Sequence, residues 1–174
     1  MPLDVVKHEE VGGSMIERVV GRAVKSFERF VARIAPYRYH LKCYFMQKPV
    51  PEMSDDAAIR DIQRGIDYLA TLARKHAIPI NIHLNPTYVG GGTRLETAFR
   101  EGRYVPPRVV DVAAAVRHAR GQPLSVFIGL HTEGLAVEGG SPIRPEDKAT
   151  VAQLEVFNRT QDHDILDRIC AAQK

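Results

Sequence analysis

The sequence predicts a single α/β domain over residues 1–174, in which three to four βα units form half of a TIM-like barrel with parallel strands. Two observations predict this fold. Segments with apolar residues at every second position alternate with segments of helical spacing, a pattern typical of parallel strands joined by right-handed crossovers. The predicted strands also carry polar residues opposite their apolar face, which favours a partial barrel with a polar interior over an open sheet covered on both faces.

The first half of the chain contains two predicted strands, each followed by a helix. Leu3–His8 is the first strand, and Ser14 opens the helix after it as the first residue of a capping box. Pro36 ends this helix, because proline cannot continue the hydrogen-bond pattern. Tyr39–Met46 is the second predicted strand, because apolar side chains at every second position alternate with polar or aromatic ones. Ser54 caps the next helix, in which apolar residues recur every three or four positions.

The stretch from Pro79 to Pro107 organises the second half of the chain. Its alternating residues predict a strand that begins near Ile80 and ends at Asn85-Pro86, because proline cannot donate to a strand ladder. Thr93, with Glu96 as its capping-box partner, opens a short helix over 94–100. A helix over 108–120, a buried strand over 124–130 and a helical region entered at Pro145 and interrupted near Asp162 complete the pattern.

Composition and cysteine usage narrow the class of protein. The chain is 44% hydrophobic and 26% charged, which is ordinary for a globular protein, and its net charge of +3 without a Lys/Arg run gives only weak support for a nucleic-acid partner. Cys43 and Cys170 belong to no CxxC pair, which argues against a disulfide framework and a cysteine-rich metal site. With neither a membrane span nor a signal peptide in the sequence, we expect a cytoplasmic protein.

Polar residues collect where the predicted strands end, and in parallel sheets these ends meet at one edge where ligands bind. The candidates are Glu9, Glu10, Gln47, Lys48, His83, Asn85, His131 and Glu133. Each also has a structural interpretation: Asn85 can cap its turn, Lys48 can be a solvated lysine, and the histidines can be satisfied interior groups. His83, His131 and Glu133 could also form a metal site of two histidines and a carboxylate, but no spacing rule links them, and the sequence favours satisfied interior histidines over a metal site.

Three stretches then resemble a known family. The runs CYFMQKP, NIHLNPTYVGGGTRLETAFREGRYVPP and EGLAVEGGSP resemble the C-terminal half of the radical SAM domain in the group that contains the Elongator catalytic subunit and the archaeosine-biosynthesis proteins. NPT followed by GT and then Y-x-PP is the most specific part. The resemblance implies a partial (β/α) barrel, S-adenosylmethionine and a [4Fe–4S] cluster as cofactors, and tRNA as a possible substrate.

The resemblance also implies roles for the strand-end residues. It places Asn85 near the adenine of S-adenosylmethionine and Lys48 near a carboxylate of the substrate or cofactor. Glu9 and Glu10 align loosely with the acidic strand end around the cofactor's amino and ribose groups. Gln47, His83 and Glu133 complete the predicted cofactor-binding set.

The chain departs from the family because it has no CxxxCxxC motif and cannot supply three thiolates to a cluster. We therefore expect this chain to be the C-terminal portion of a radical SAM-type protein, or a relative that has lost the chemistry, and not to catalyse radical reactions alone. Its affinity for S-adenosylmethionine should be poor. The partner that would complete the barrel is an N-terminal half barrel.

Two further function classes stay open. The loop containing Gly91, Gly92 and Thr93 opens a helix and could present amide groups to a phosphate, making the chain a nucleotide-binding module. Alternatively, the chain is an interaction protein without catalysis. A homodimer would then bury the strand edge at Leu3 or the open sheet face, which carries apolar groups such as Tyr44, Met46 and Phe127.

Overall fold

The computed structural model of the protein describes residues 15–132 and 134–172. The predicted strand Leu3–His8, the cap Ser14 and the candidate residues Glu9, Glu10 and Glu133 lie outside the described residues.

Three parallel strands form one sheet in the order β1-β2-β3: β1 Leu41–Gln47, β2 Ile80–Pro86 and β3 Leu124–Ile128. The register pairs Leu41 with Ile80 and Ile80 with Leu124. The prediction of an α/β fold with parallel strands is therefore confirmed. Strand β1 begins two residues later than predicted: a 3-10 helix over 35–37 ends at Arg38 in a left-handed conformation, and the first bond to β2 is donated by the Leu41 N–H to the Pro79 carbonyl.

The helices agree closely with the sequence pattern: α1 Met15–Ile34, α2 Asp55–His76, α3 Arg94–Arg100, α4 Val109–Val116, α5 Lys148–Thr160 and α6 His163–Ala171. Ser54 caps α2 by accepting from the Ala57 N–H at 3.2 Å, as predicted. The predicted helix 108–120 is shorter, because its last turn is a 3-10 helix over 117–119. The predicted interruption near Asp162 separates α5 from α6. Among the helices that the structure describes, none is long and apolar enough to cross a membrane.

The main core lies between one face of the sheet, called here the inner face, and helices α2, α4, α5 and α6. Ile82 and Leu84 of β2 are fully buried on this face, and so are Val109, Val112 and Val116 of α4. Burying each such aliphatic side chain stabilises the fold by about 1.5–3 kcal/mol. This core fixes the sheet and therefore the positions of the strand ends.

The opposite face of the sheet, called here the outer face, is much more open. Tyr44 is 66% exposed, Met46 is 45% exposed and Phe127 is 39% exposed. The neighbouring polar residues Asn81 and His83 are half-buried. The alternation of apolar inner and mixed outer side chains expected from the sequence is thus observed.

Candidate functional site

The carboxyl ends of the strands meet at one edge of the sheet. Gln47 of β1 pairs with Pro86 of β2, and Leu84 pairs with Ile128 at the end of β3. Ligand sites of parallel sheets form beyond this edge. The polar residues at or just before it form the set that we call the strand-end site: Gln47, Lys48, His83, Asn85 and Thr87.

Lys48 is a buried member of the strand-end site with a structural role. It is only 7% exposed, so its interpretation as a solvated lysine is wrong. Its Nζ donates to Asp55 Oδ1 at 2.6 Å and to the Val105 carbonyl at 2.8 Å, while Tyr104 donates its hydroxyl to the Lys48 carbonyl at 2.9 Å. These bonds hold the end of β1 to the start of α2 and to the segment before α4. A ligand carboxylate would have to share the ammonium with Asp55.

Gln47 and Thr87 contribute polar atoms that the described fold leaves unpaired. Both residues are buried, and neither the Gln47 amide nor the Thr87 hydroxyl has a hydrogen-bond partner among the described residues. The Thr87 N–H donates to the Gln47 carbonyl at 3.2 Å, so their backbones are neighbours across the strand ends. Leaving such a group unpaired costs about 1–3 kcal/mol. The strand ends therefore contain hydrogen-bonding capacity that is not needed for the described packing.

Asn85 lies at the end of β2 against a glycine of the next strand end. An added Cβ on Gly129 would lie 2.5 Å from Asn85 Oδ1, and the Gly129 N–H donates to the Leu84 carbonyl at 2.8 Å. A side chain at position 129 would therefore require the Asn85 amide to move. Within the described part of the chain, the Asn85 amide makes no hydrogen bond. It can offer both a donor and an acceptor to a ligand.

His83 and Tyr44 form an aromatic surface on the outer face. Their rings stack with centroids 5.3 Å apart, and Lys42 Nζ lies 4.9 Å from the centre of the Tyr44 ring. Burial, and secondarily the charge of Lys42, lowers the pKa of His83 below its ordinary value of 6.5. The imidazole is therefore neutral at pH 7 and carries one donor and one acceptor.

The remaining histidine candidate is not part of a metal centre in the described chain. His131 is exposed on the segment after β3. No group of three or more His, Cys, Asp or Glu side chains suited to a metal ion occurs within residues 15–132 and 134–172. The third member of the set that the sequence suggested, Glu133, falls in the gap between these ranges.

The glycine loop is closed by a carboxylate from its own helix. The Gly92 N–H donates to Glu96 Oε2 at 2.6 Å, and Thr93 accepts from the Glu96 N–H at 3.2 Å while donating to the Gly90 carbonyl at 2.7 Å. The Arg100 hydrogen bond, followed by the Gly92 amide, lowers the pKa of Glu96. A phosphate at this loop would have to displace an ionised carboxylate. In a capping box the Glu96 carboxylate would accept from the N–H of the cap residue Thr93, whereas here it accepts from the N–H of the preceding residue, Gly92.

Sequence reasoning missed the residues that support the strand-end site. Tyr104 belongs to the Y-x-PP motif, but its hydrogen bond to Lys48 joins residues 56 positions apart. Asp55 lies at the start of α2, and no local sequence signal indicates that its carboxylate accepts from Lys48. Thr87 lies in the NPT motif, and that motif is the one signal that could have identified it.

Comparison of the chain with protein-family models, curated proteins and solved structures gives no match. A functional proposal therefore rests on the residues and geometry of the chain itself.

Proposed function

We propose that this chain is the C-terminal portion of a radical SAM-type protein, with tRNA modification as the candidate activity, and that its strands form half of a partial (β/α) barrel. The observation that carries the proposal is the uneven covering of the sheet: the inner face is packed by helices, while the outer face leaves Tyr44 and Phe127 exposed. In a barrel, such an outer face is the interior wall and the carboxyl edge is the mouth. The NPT, GT and Y-x-PP motifs support the same proposal by resemblance.

The residues present do not fit the iron–sulfur cluster of such proteins. A [4Fe–4S] cluster is held by cysteine thiolates. Cys43 packs against the main core, and burial raises its pKa from 9.0 to about 11, while Cys170 packs against the same core from α6. We therefore propose no radical chemistry for this chain alone. The cluster ligands have to come from the other half of the barrel.

We propose the nucleoside part of S-adenosylmethionine as the ligand of the strand-end site. Asn85 has an amide without a partner among the described residues, and His83 is a neutral imidazole on the same face of β2. Such groups can hydrogen-bond the edge of a base or a ribose hydroxyl. Binding should be weak, because no cluster is available to hold the cofactor's amino and carboxylate groups.

Two asparagines on one strand face provide a matched test. Asn81 also lies on the outer face of β2, but its amide donates to Ser125 Oγ at 2.9 Å. In NMR titrations with adenosine and with S-adenosylmethionine, we expect Asn85→Ala to abolish the weak binding and Asn81→Ala to preserve it. Equal loss in both variants would place the ligand elsewhere.

Micromolar or tighter binding in calorimetry would contradict the proposal, and so would a stable visible-absorbing cluster after anaerobic iron and sulfide reconstitution.

The reading frame upstream of Met1 offers an independent check. A CxxxCxxC motif there would identify the missing half and support the proposal. Its absence, together with no nucleoside binding, would favour an interaction protein.

A homodimer is the second candidate, favoured by the exposed apolar side chains Tyr44, Met46 and Phe127 on the outer face. A two-fold dimer is the commonest closed arrangement and would cover this face with a second copy. Light scattering at micromolar concentration should then give the dimer mass, and Phe127→Lys should give the monomer mass. Val5→Lys with Val6→Lys tests the alternative interface at the Leu3 edge. A monomer whose stability does not change on dilution would rule out both interfaces.

A further inference from the structure

Two side-chain amides occupy the edge of β3 that faces away from β2. Strand β3 lies at one end of the described sheet. Gln161 accepts from the Val126 N–H at 2.9 Å through Oε1 and donates to the Val126 carbonyl at 3.0 Å through Nε2. Asn158 makes the same pair of bonds with Ile128, accepting from its N–H at 2.8 Å and donating to its carbonyl at 2.8 Å. Each amide therefore takes the place that a residue of a neighbouring strand would occupy.

The packing of α5 positions the two amides. Leu154 and Phe157 of α5 are fully buried in the main core. Asn158 and Gln161 follow them at the spacing of one helix face, so the contacts that bury the apolar side chains also bring the amides to β3. Gln161 ends α5 in a left-handed conformation, with φ of 55°, and its N–H donates to the Phe157 carbonyl at 2.7 Å. The end of α5 is thus built around the contact with β3.

The sequence of β3 and the residues after it favours pairing with any strand that reaches an open edge. Residues 124–130 read LSVFIGL and contain no charged residue and no proline. Uncharged segments rich in apolar and β-branched residues associate through their backbone when an edge is open. Edge strands are commonly protected by charges, proline or a bulge, but β3 keeps a regular register with β2 over 124–128. The protection of this edge therefore comes from α5.

We propose that Asn158 and Gln161 form an amide latch that blocks self-association of this protein through β3. Without the latch, Val126 of one copy would exchange both backbone bonds with Ile128 of a second copy, in an antiparallel pair with its two-fold axis at Phe127. A second copy fits this edge because its β3 presents the same uncharged apolar segment and the same backbone groups. The proposal rests on the contacts of α5 with β3 and does not depend on the proposed function.

Substitutions of similar shape separate the amide groups from the packing of α5. Asn158→Leu and Gln161→Met keep the approximate size of each side chain but remove its hydrogen-bonding groups. The double variant should therefore open the β3 edge while α5 still packs on the core. Gln161→Gly is a second route, because it removes one amide and at the same time favours the left-handed backbone at the end of α5.

Two variants of the same helix serve as controls. Gln153→Met adds a methionine at an exposed position of α5. Ala152→Gly, also at an exposed position, lowers the stability of α5 without removing either amide. Both controls should keep the mass of the unmodified chain, because the latch stays intact.

Amide hydrogen exchange and light scattering of the full chain at several concentrations test the proposal. In the unmodified chain, the Val126 and Ile128 amides should exchange within about tenfold of the Phe127 amide, which faces β2. In the dilute double variant, exchange at Val126 and Ile128 should increase by about tenfold more than at Phe127, and Gln161→Gly should have this effect at Val126. Raising the concentration of the double variant should restore the protection and double the mass relative to the unmodified chain.

The site of association is identified by nuclear Overhauser effects between isotope-labelled and unlabelled copies of the double variant. These should connect the backbone protons of Val126 to those of Ile128 in the second copy. The proposal is overturned if the double variant keeps the mass of the unmodified chain at every concentration, or if Ala152→Gly associates to the same extent. Equal acceleration of exchange at Phe127 and Val126, or intermolecular contacts confined to the outer face, would also refute it.

Discussion

Tyr104 donates a hydrogen bond from its hydroxyl to the carbonyl oxygen of Lys48 at 2.9 Å, joining the segment before α4 to the end of β1. The Tyr104 ring is buried, and Lys48 Nζ lies 5.4 Å from its centre. Lys48 has a left-handed backbone, with φ of 57°. Tyr104 contacts both the carbonyl and the ammonium group of this residue and therefore stabilises it in that conformation.

The Tyr104–Lys48 bond gives the first prediction. Tyr104→Phe keeps the ring but leaves a carbonyl unpaired, so we expect the free energy of unfolding in urea to fall by about 1–2 kcal/mol. Tyr37→Phe is the control, because Tyr37 is 70% exposed and its loss should change stability by less than about 0.5 kcal/mol. Equal effects would mean that the bond does not stabilise the strand end.

The contact between Gly129 and Asn85 gives the second prediction. Gly129→Ala places a Cβ 2.5 Å from Asn85 Oδ1, and we expect a loss of about 1–3 kcal/mol from overpacking. Combining it with Asn85→Ala should restore most of this loss, because the clashing amide is then absent. A double-mutant cycle of urea midpoints measures the coupling. If the losses of Gly129→Ala and Asn85→Ala simply add in the double variant, the Asn85 amide is not the group that clashes with the added Cβ.

The backbone at Ala77 gives the third prediction. Ala77 follows α2 in a left-handed conformation, with φ of 50°. We expect Ala77→Gly to stabilise the protein by about 0.5–1 kcal/mol, because glycine adopts this conformation without a steric cost. Ala152→Gly, at an exposed position within α5, should instead destabilise it by about 1 kcal/mol. Thermal unfolding should show a higher melting temperature for Ala77→Gly and a lower one for Ala152→Gly. Shifts of the same sign would contradict this prediction.

The fourth prediction concerns pH. Burial, the largest cause in each case, lowers the pKa of His83 and His163 below 6.5. The unfolded state then binds protons more readily, so the free energy of unfolding should fall as pH decreases from about 6.5 towards the folded-state pKa values. His83→Gln and His163→Gln should each reduce this dependence between about pH 7 and 5. Chemical-shift titrations in which the pKa values of both histidines lie above 6.5 would contradict this prediction.

The fifth prediction concerns Cys43. With a pKa of about 11, its thiolate fraction at pH 8 is about a hundredfold lower than for a thiol of pKa 9.0. Iodoacetamide should therefore alkylate Cys43 at least tenfold more slowly in the folded chain than in urea, as followed by peptide mass spectrometry. Comparable rates would show that the inner face of β1 opens readily.

The local elements were predictable because their causes lie within a few residues of sequence. Ser54 and Thr93 cap α2 and α3 as their spacing predicts, and α3 has the predicted bounds 94–100. The alternation in β2 correctly assigned its inner and outer faces. The strand-end residues of parallel strands also had to lie at one edge, so the position of Asn85 followed from topology.

What the sequence by itself determined is therefore the α/β class, the order of the elements and the edge where polar residues collect. Only the tertiary structure decided what those residues contact. Lys48 is engaged by Asp55 and Val105, and Gln47 is buried without a partner for its amide among the described residues. The physical reason is that a side chain's hydrogen-bond partner is set by packing between segments distant in sequence, whereas periodicity and capping act only between near neighbours.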